Sequence, residues 1–137
     1  MASGTLVDSN VLLDILTEDT AWLEWSLTAL AAAAEAGPLF INPIVYAEVS
    51  VRFSRIEDLD EALPPESFRR SSLPWTAAFL AGKAFVAYRR NRGIASTPLP
   101  DFFIGAHAAV EDLELLTRDP ARYRTYFPKL HLRAPDS

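Results

Sequence analysis

The sequence predicts an α/β fold in which helices flank a short, mostly parallel central sheet, and three observations carry that expectation. Brief apolar runs alternate with longer segments of helical character, the pattern that builds a parallel sheet. A turn or cap signal closes each run within a few residues. The 137 residues, of which 50% are hydrophobic, suffice for one core. Neither an internal repeat nor a dividing linker interrupts them, so a single domain over residues 1–137 is expected.

Taken in order, Thr5-Leu6-Val7 reads as a buried first strand that stops at Asp8. Ser9-Asn10 is a turn signal, and Val11-Leu12-Leu13 with Ile15-Leu16 opens a helical pattern. Trp22 to Ala36 is rich in Ala, Leu and Glu and ends at Gly37-Pro38, a helix with a clear stop. Leu39-Phe40-Ile41 is a second strand. Asn42-Pro43 then supplies an N-cap and an N1 proline for a helix bearing Ile44, Val45, Glu48, Val49 and Phe53. Asp58 to Glu61 predicts a capping box on a short helix ended by Pro64-Pro65. Trp75 to Arg92 predicts a helix with Phe79, Ala84, Phe85 and Tyr88 on its apolar side and Gly93 as its stop. Ile94 to Pro100 reads as a loop and Asp101 to Val110 as a helix. Leu113 to Thr117 is a third strand, Asp119-Pro120 repeats the cap-plus-proline signal, and Leu130 to Leu132 is a candidate last strand.

Composition removes several classes of chemistry. There is no cysteine, which excludes disulfides, thiolate metal sites and thiol nucleophiles. Two histidines, His107 and His131, are too few for an imidazole-rich site, so any metal must be held by oxygen. No apolar stretch approaches the roughly 20 residues that span a bilayer, and the first residues lack a basic, signal-like start. A soluble, cytoplasmic protein without a membrane role is expected. Net charge is −5, but residues 1–68 carry two basic groups against twelve acidic ones, and residues 69–137 carry eleven against six. Such a split suits an acidic site beside a basic rim, an acidic half-surface that meets a basic partner, or two unrelated solvated faces.

The acidic residues fall at the places that carry function in a parallel sheet. Asp8 follows the first strand, Glu48 lies in the helix after the second, Asp101 opens a later helix, and Asp119 lies just past the third strand. Strand carboxyl ends emerge on one edge of such a sheet, so topology draws Asp8, Glu48 and Asp119 towards one crevice, which Asp101, at a helix N-terminus, can join. Crowded carboxylates repel one another unless a cation neutralises them. Oxygen ligands of this kind select hard divalent ions, Mg²⁺ or Mn²⁺, and the reaction they best serve is attack of water on a phosphodiester. Asp101 and Asp119 each have a plain structural use near a helix start. A carboxylate that ends an apolar strand, as Asp8 does, is costly without a partner.

Four blocks of the chain, in order and spanning nearly its whole length, resemble the PIN-domain proteins, and among them the VapC-type ribonuclease toxins of bacterial toxin–antitoxin pairs. The blocks are Leu6-Val7-Asp8-Ser9-Asn10-Val11-Leu12-Leu13-Asp14, Asn42-Pro43-Ile44-Val45-Tyr46-Ala47-Glu48, Leu99-Pro100-Asp101 through Ala108, and Leu115-Leu116-Thr117-Arg118-Asp119-Pro120 on to Leu132. The resemblance implies an Mg²⁺- or Mn²⁺-dependent endoribonuclease with Asp8, Glu48, Asp101 and Asp119 as its acidic site. Asp8 and Asp101 would be the principal direct ligands; Glu48 and Asp119 would act through water or hold a second ion. Asn10 and Thr117 match positions that support such a site by hydrogen bonds. The resemblance also implies a homodimer and a small VapB-type antitoxin that wraps the toxin, giving a heterotetramer or a larger assembly.

Other residues carry weaker signals. Arg118 and Arg122 flank the expected crevice and are candidates for holding RNA phosphates; Arg124, and Arg89, Arg90 and Arg92 further off, are less well placed. Asp14 reads as part of the helix start, His107 as a polar-network residue, and Trp22, Trp25 and Trp75 as core or interface rather than base-stacking platforms. Rival readings are a catalytically weak or inactive binding module on the same fold and a receiver-like phosphoacceptor domain. The second requires a lysine after a late strand, and Lys83 and Lys129 fit no such position. A dehalogenase-like phosphatase needs an aspartate where Asn10 stands.

Overall fold

In the computed structural model, which describes residues 3–92 and 99–135, five short strands form one parallel sheet. They are β1 (Thr5–Val7), β2 (Leu39–Ile41), β3 (Phe68–Arg70), β4 (Glu114–Leu116) and β5 (Leu132–Arg133), in spatial order β3-β2-β1-β4-β5. Every pair is parallel, with Thr5 opposite Leu39 on one side and Glu114 on the other. The helices are α1 (Ser9–Leu16), α2 (Leu23–Ala36), α3 (Pro43–Ser50), α4 (Ile56–Ala62), α5 (Trp75–Arg92), α6 (Leu99–Val110) and α7 (Ala121–Tyr126). The expected α/β/α layering and the first two strands stand as read. The middle of the sheet is wholly buried, with Leu6, Val7, Ile41, Leu115 and Leu116 excluded from solvent, as a parallel sheet covered on both faces requires.

Several local expectations shift. Asp8 is itself the N-cap of α1, its carboxylate accepting from the Ser9 amide, so the turn expected at Ser9-Asn10 is already helix. Helix α4 starts at Ile56 behind Arg55, and Asp58 is a first-turn acid favoured by the helix dipole rather than a cap. The N-cap of α7 is Pro120 without a side-chain bond, because the Asp119 carboxylate turns instead to Asn10 and Arg118. Strand β3 carries no apolar run: Phe68 enters the core while Arg69 and Arg70 stay in solvent. An edge strand needs only one buried position, so the alternation rule has little to detect there. The last strand begins two residues later than expected and ends one later, because Leu130 closes a turn on Phe127.

Helix α5 also faces differently from its expected apolar side. Ala77, Ala81, Ala84 and Tyr88 form the buried stripe, while Trp75 and Phe79 are 91% and 69% exposed. The core reading therefore fails for Trp75; Trp25 does pack on the core. The proposed stop at Gly93, most of the Ile94–Pro100 loop and the Arg92 side chain lie outside the described residues. Phe85, Tyr88, Phe102, Tyr126 and Phe127 interlock where α5, α6 and α7 meet, with centroids 5.3 to 6.5 Å apart. Among the described residues no helix is long and apolar enough to cross a membrane.

Candidate active site

The carboxyl ends of β1 and β4 place Asp8 and Thr117 side by side, and the site grows from that pair. Asp8 is 3% exposed. Its Oδ1 accepts the Ser9 amide at 2.8 Å; its Oδ2 accepts the Thr117 hydroxyl at 2.8 Å, the Tyr123 hydroxyl at 3.0 Å and Asn10 Nδ2 at 3.4 Å. Burial nevertheless dominates and pushes the Asp8 carboxyl up to about 7. The hydrogen bonds from Thr117 and Tyr123 pull it down, while the negative charges of Asp101 and Glu48 raise it. Thr117 is saturated, since its oxygen also accepts the Asp119 amide at 3.1 Å and Asn10 Nδ2 at 3.2 Å. Asn10 thereby bridges the ends of both strands, reaching Asp119 Oδ2 at 3.4 Å as well.

Helix α3 brings in Glu48 in its second turn, where the Ser9 hydroxyl donates to Oε1 at 2.7 Å. Partial burial and the charge of Asp101 raise the Glu48 carboxyl above its usual range. Asp101, in the first turn of α6, is raised by burial against the pull of Arg122, whose Nη1 donates to Oδ2 at 2.6 Å. Asp119 adds its negative charge to Asp101 but is itself largely exposed. Asp8 feels Asp101 and Glu48, Glu48 feels Asp101, and Asp101 feels Asp119. The four sequence-derived carboxylates therefore share one field.

A scan of family models matches residues 5–128 to the PIN domain. The chain belongs to the PIN-domain family. Solved structures with the same fold include the VapBC2 complex of Rickettsia felis bound to a promoter DNA fragment, 18% identical over 96% of this chain and 98% of that one with a TM-score of 0.70. VapBC-1 of nontypeable Haemophilus influenzae is 16% identical over 95% and 96%, with a TM-score of 0.69. A toxin–antitoxin complex of Klebsiella pneumoniae is 25% identical over 88% and 90%, with a TM-score of 0.61. No curated protein sequence matches the chain.

Two residues of this PIN domain's site escaped the sequence. Tyr123 is buried in α7, and burial followed by the charge of Asp8 lifts its phenol well above the ordinary value, so the hydroxyl keeps its proton and serves Asp8 as a donor. Its signal is faint: a phenol four residues before Phe127, which reads as core. Ser9, which orients Glu48, read as turn chemistry. Asp14 is more than helix-start structure. It is 2% exposed and its Oδ2 accepts both the Ser26 hydroxyl and Arg118 Nε at 2.8 Å. Arg118 also reaches Asp119 at 3.4 Å and lies 5.4 Å from the Trp22 ring centre, so the carboxylate of Asp14 holds it beside the crevice.

The donor set fits a hard divalent ion. It is all oxygen, and Asp8, Glu48 and Asp101 are raised first by burial and further by neighbouring carboxylate charge, a repulsion that a cation would relieve. Among the described residues no three such side chains are grouped closely enough to cage an ion alone. Mg²⁺ commonly keeps several waters and takes only one or two carboxylates, so a looser grouping suits it. In this arrangement Arg122 supplies the compensating charge to Asp101.

Proposed function

We propose that the protein is an Mg²⁺- or Mn²⁺-dependent endoribonuclease acting as the toxin of a bacterial toxin–antitoxin pair. The observation that carries this reading is Asp8, a strand-end carboxylate that burial pushes up to about 7, with the charges of Asp101 and Glu48 adding to the rise. Membership of the PIN-domain family and the fold shared with VapBC complexes support it. Asp8 and Asp101 would hold the ion directly, with Glu48 and Asp119 reaching it through water. When bound, the ion supplies Lewis acidity towards the scissile phosphate and its attacking water.

The chain's own side chains prepare that chemistry. Thr117, Tyr123 and Asn10 fix one oxygen of Asp8, and Ser9 fixes Glu48. Arg122 stands in for the ion at Asp101. Were Asp101 to hold the ion, the Arg122 guanidinium would be free to meet a substrate phosphate beside it. Arg118 is the other phosphate contact, held at the rim by Asp14. The exposed apolar ridge of Trp75, Phe79 and Val86 on α5 supports homodimer formation. The acidic first half suits an antitoxin that presents a basic group to the carboxylates, in a heterotetramer or a larger assembly in the cytoplasm.

One observation favours a second reading, a PIN-fold binding module without cleavage: the Arg122–Asp101 ion pair already neutralises one carboxylate. Incubating total cellular RNA with antitoxin-free protein, in Mg²⁺, in Mn²⁺ and in EDTA, separates the two. Discrete fragments that require the metal and vanish with Asp8→Asn are expected. Absence of cleavage by folded protein in either metal overturns the nuclease reading in favour of the module.

A further inference from the structure

Beside the acidic site, on the same edge of the sheet, lies a cavity of about 260 Å³ lined by Ile41, Asn42, Pro43, Tyr46, Arg70, Ser71 and Ser72. Asn42 and Ser71 directly follow β2 and β3, as Asp8 follows β1. Two strand spacings, about 10 Å, separate β3 from β1, so the cavity is a near neighbour of the catalytic carboxylates. Its volume falls just under the roughly 300 Å³ at which pockets for drug-sized ligands begin, which suits one nucleobase.

The wall of this cavity is built around His107, a fully buried imidazole with no part in the acidic site. Asn42 Oδ1 accepts the Val45 amide at 2.9 Å, so Asn42 Nδ2 is the group that meets His107 Nδ1, at 3.0 Å. Facing that donor, Nδ1 is the acceptor, and in the neutral ring that burial favours, Nε2 carries the hydrogen. That hydrogen points to Ser71 Oγ, 3.3 Å away. The Ser71 oxygen is thereby used as an acceptor, and its own hydrogen is left to be donated into the cavity. On the other wall the Arg70 guanidinium lies 5.1 Å from the Tyr46 ring centre. It is anchored there by the Leu63 carbonyl at 2.7 Å and by Asp60 at 3.4 Å, with the Tyr46 hydroxyl also bonded to Asp60 at 2.7 Å. The cavity therefore pairs one oriented donor with a planar cationic wall, the two features that single-stranded RNA recognition uses on an unstacked base.

We propose that this cavity is a nucleobase subsite that receives the base flanking the cleaved phosphodiester of a single-stranded RNA, with Ser71 donating to a base acceptor and Arg70 stacking on the base. The assignment rests on the nuclease reading above. Mapping of cleavage positions by sequencing the fragments, with KM for a short oligoribonucleotide, tests it on Ser71→Ala and on Ser72→Glu. The second variant fills the cavity from its exposed rim without touching the His107 network. Both are expected to raise KM about tenfold, the scale of one lost hydrogen bond in a binding site, and to broaden the bases accepted at one position. Cleavage by the parent protein with unchanged positions and KM in both variants overturns the subsite and leaves the nuclease standing. Loss of antitoxin binding in both variants, with cleavage unaltered, makes the cavity a protein contact and also overturns it. No metal-dependent cleavage by the parent overturns both readings.

Discussion

Asp8 is held out of water by the same packing that completes the sheet, and that placement makes the metal-free protein sensitive to pH. Its carboxyl titrates near 7 in the fold against the usual 3.8. Between those values the folded chain keeps a proton that the unfolded chain has released. The stabilisation is therefore full below about pH 4 and is lost as pH rises through 7. The span corresponds to at most roughly 4 kcal/mol, and Glu48 and Asp101 shift in the same direction. In chelator, urea midpoints are expected to be higher at pH 5 than at pH 8, with Asp8→Asn removing most of the difference; a flat profile in the parent contradicts it. Tyr123 offers a second handle, because its hydroxyl donates to the oxygen of Asp8 that Thr117 also holds. Tyr123→Phe leaves the ring in place and removes that donor, which raises the Asp8 carboxyl further. Partners that orient a ligand are worth about 10–100-fold in metal affinity, so calorimetric titration with Mn²⁺ should show a loss of that order, easing as pH rises. An unchanged affinity would reduce Tyr123 to packing.

At the scale of elements, α7 reaches Asp8 only because α6 lets it come close. A Cβ on Gly105 would stand 2.7 and 2.8 Å from the Phe127 ring and 3.0 Å from Tyr123. Gly105→Ala must push α7 outward and draw the Tyr123 hydroxyl off Asp8, at about 1–3 kcal/mol for overpacking. Thermal denaturation should register that cost, together with a fall in metal affinity resembling that of Tyr123→Phe; neither change in Gly105→Ala would mean α7 adapts freely. The contact also marks what a linear reading misses. Asp8 and Asp119 follow strands, Asp101 opens a helix and Glu48 lies in the second turn of the helix that Asn42-Pro43 starts, so local signals made all four positions legible. Tyr123 and Ser9 were not, since a buried tyrosine and a serine in a turn signal look like core and loop until a partner distant in sequence is in view. Asp14 belongs with them: Ser26 and Arg118 define it, 12 and 104 residues away. Strand β3 escaped for a different reason, being an edge strand with a single buried side chain.

Over the whole molecule, α5 presents two apolar faces, and only one of them meets the core. Ala77, Ala81, Ala84 and Tyr88 lie inward, while Trp75, Phe79 and Val86 recur at four- and seven-residue steps on the opposite side, which places them along one stripe. Aromatic side chains bury roughly 150–250 Å² each. Trp75 and Phe79 alone would therefore supply about half of the roughly 800 Å² per partner that a stable interface needs. Lys83 lies 5.0 Å from the Phe79 ring centre, so the ridge is bordered by charge rather than continuous with the core, as an interface centre with a polar rim would be. If this ridge is the seam of the proposed homodimer, a carboxylate at its middle should separate the copies without disturbing either. Phe79→Glu is expected to sediment as a monomer at micromolar concentration while keeping the parent's melting temperature in the monomeric range and its Mn²⁺ affinity, because Phe79 touches neither the core stripe nor the acidic site. A parent that is already monomeric, or a variant that keeps the dimer mass, would move the interface away from α5.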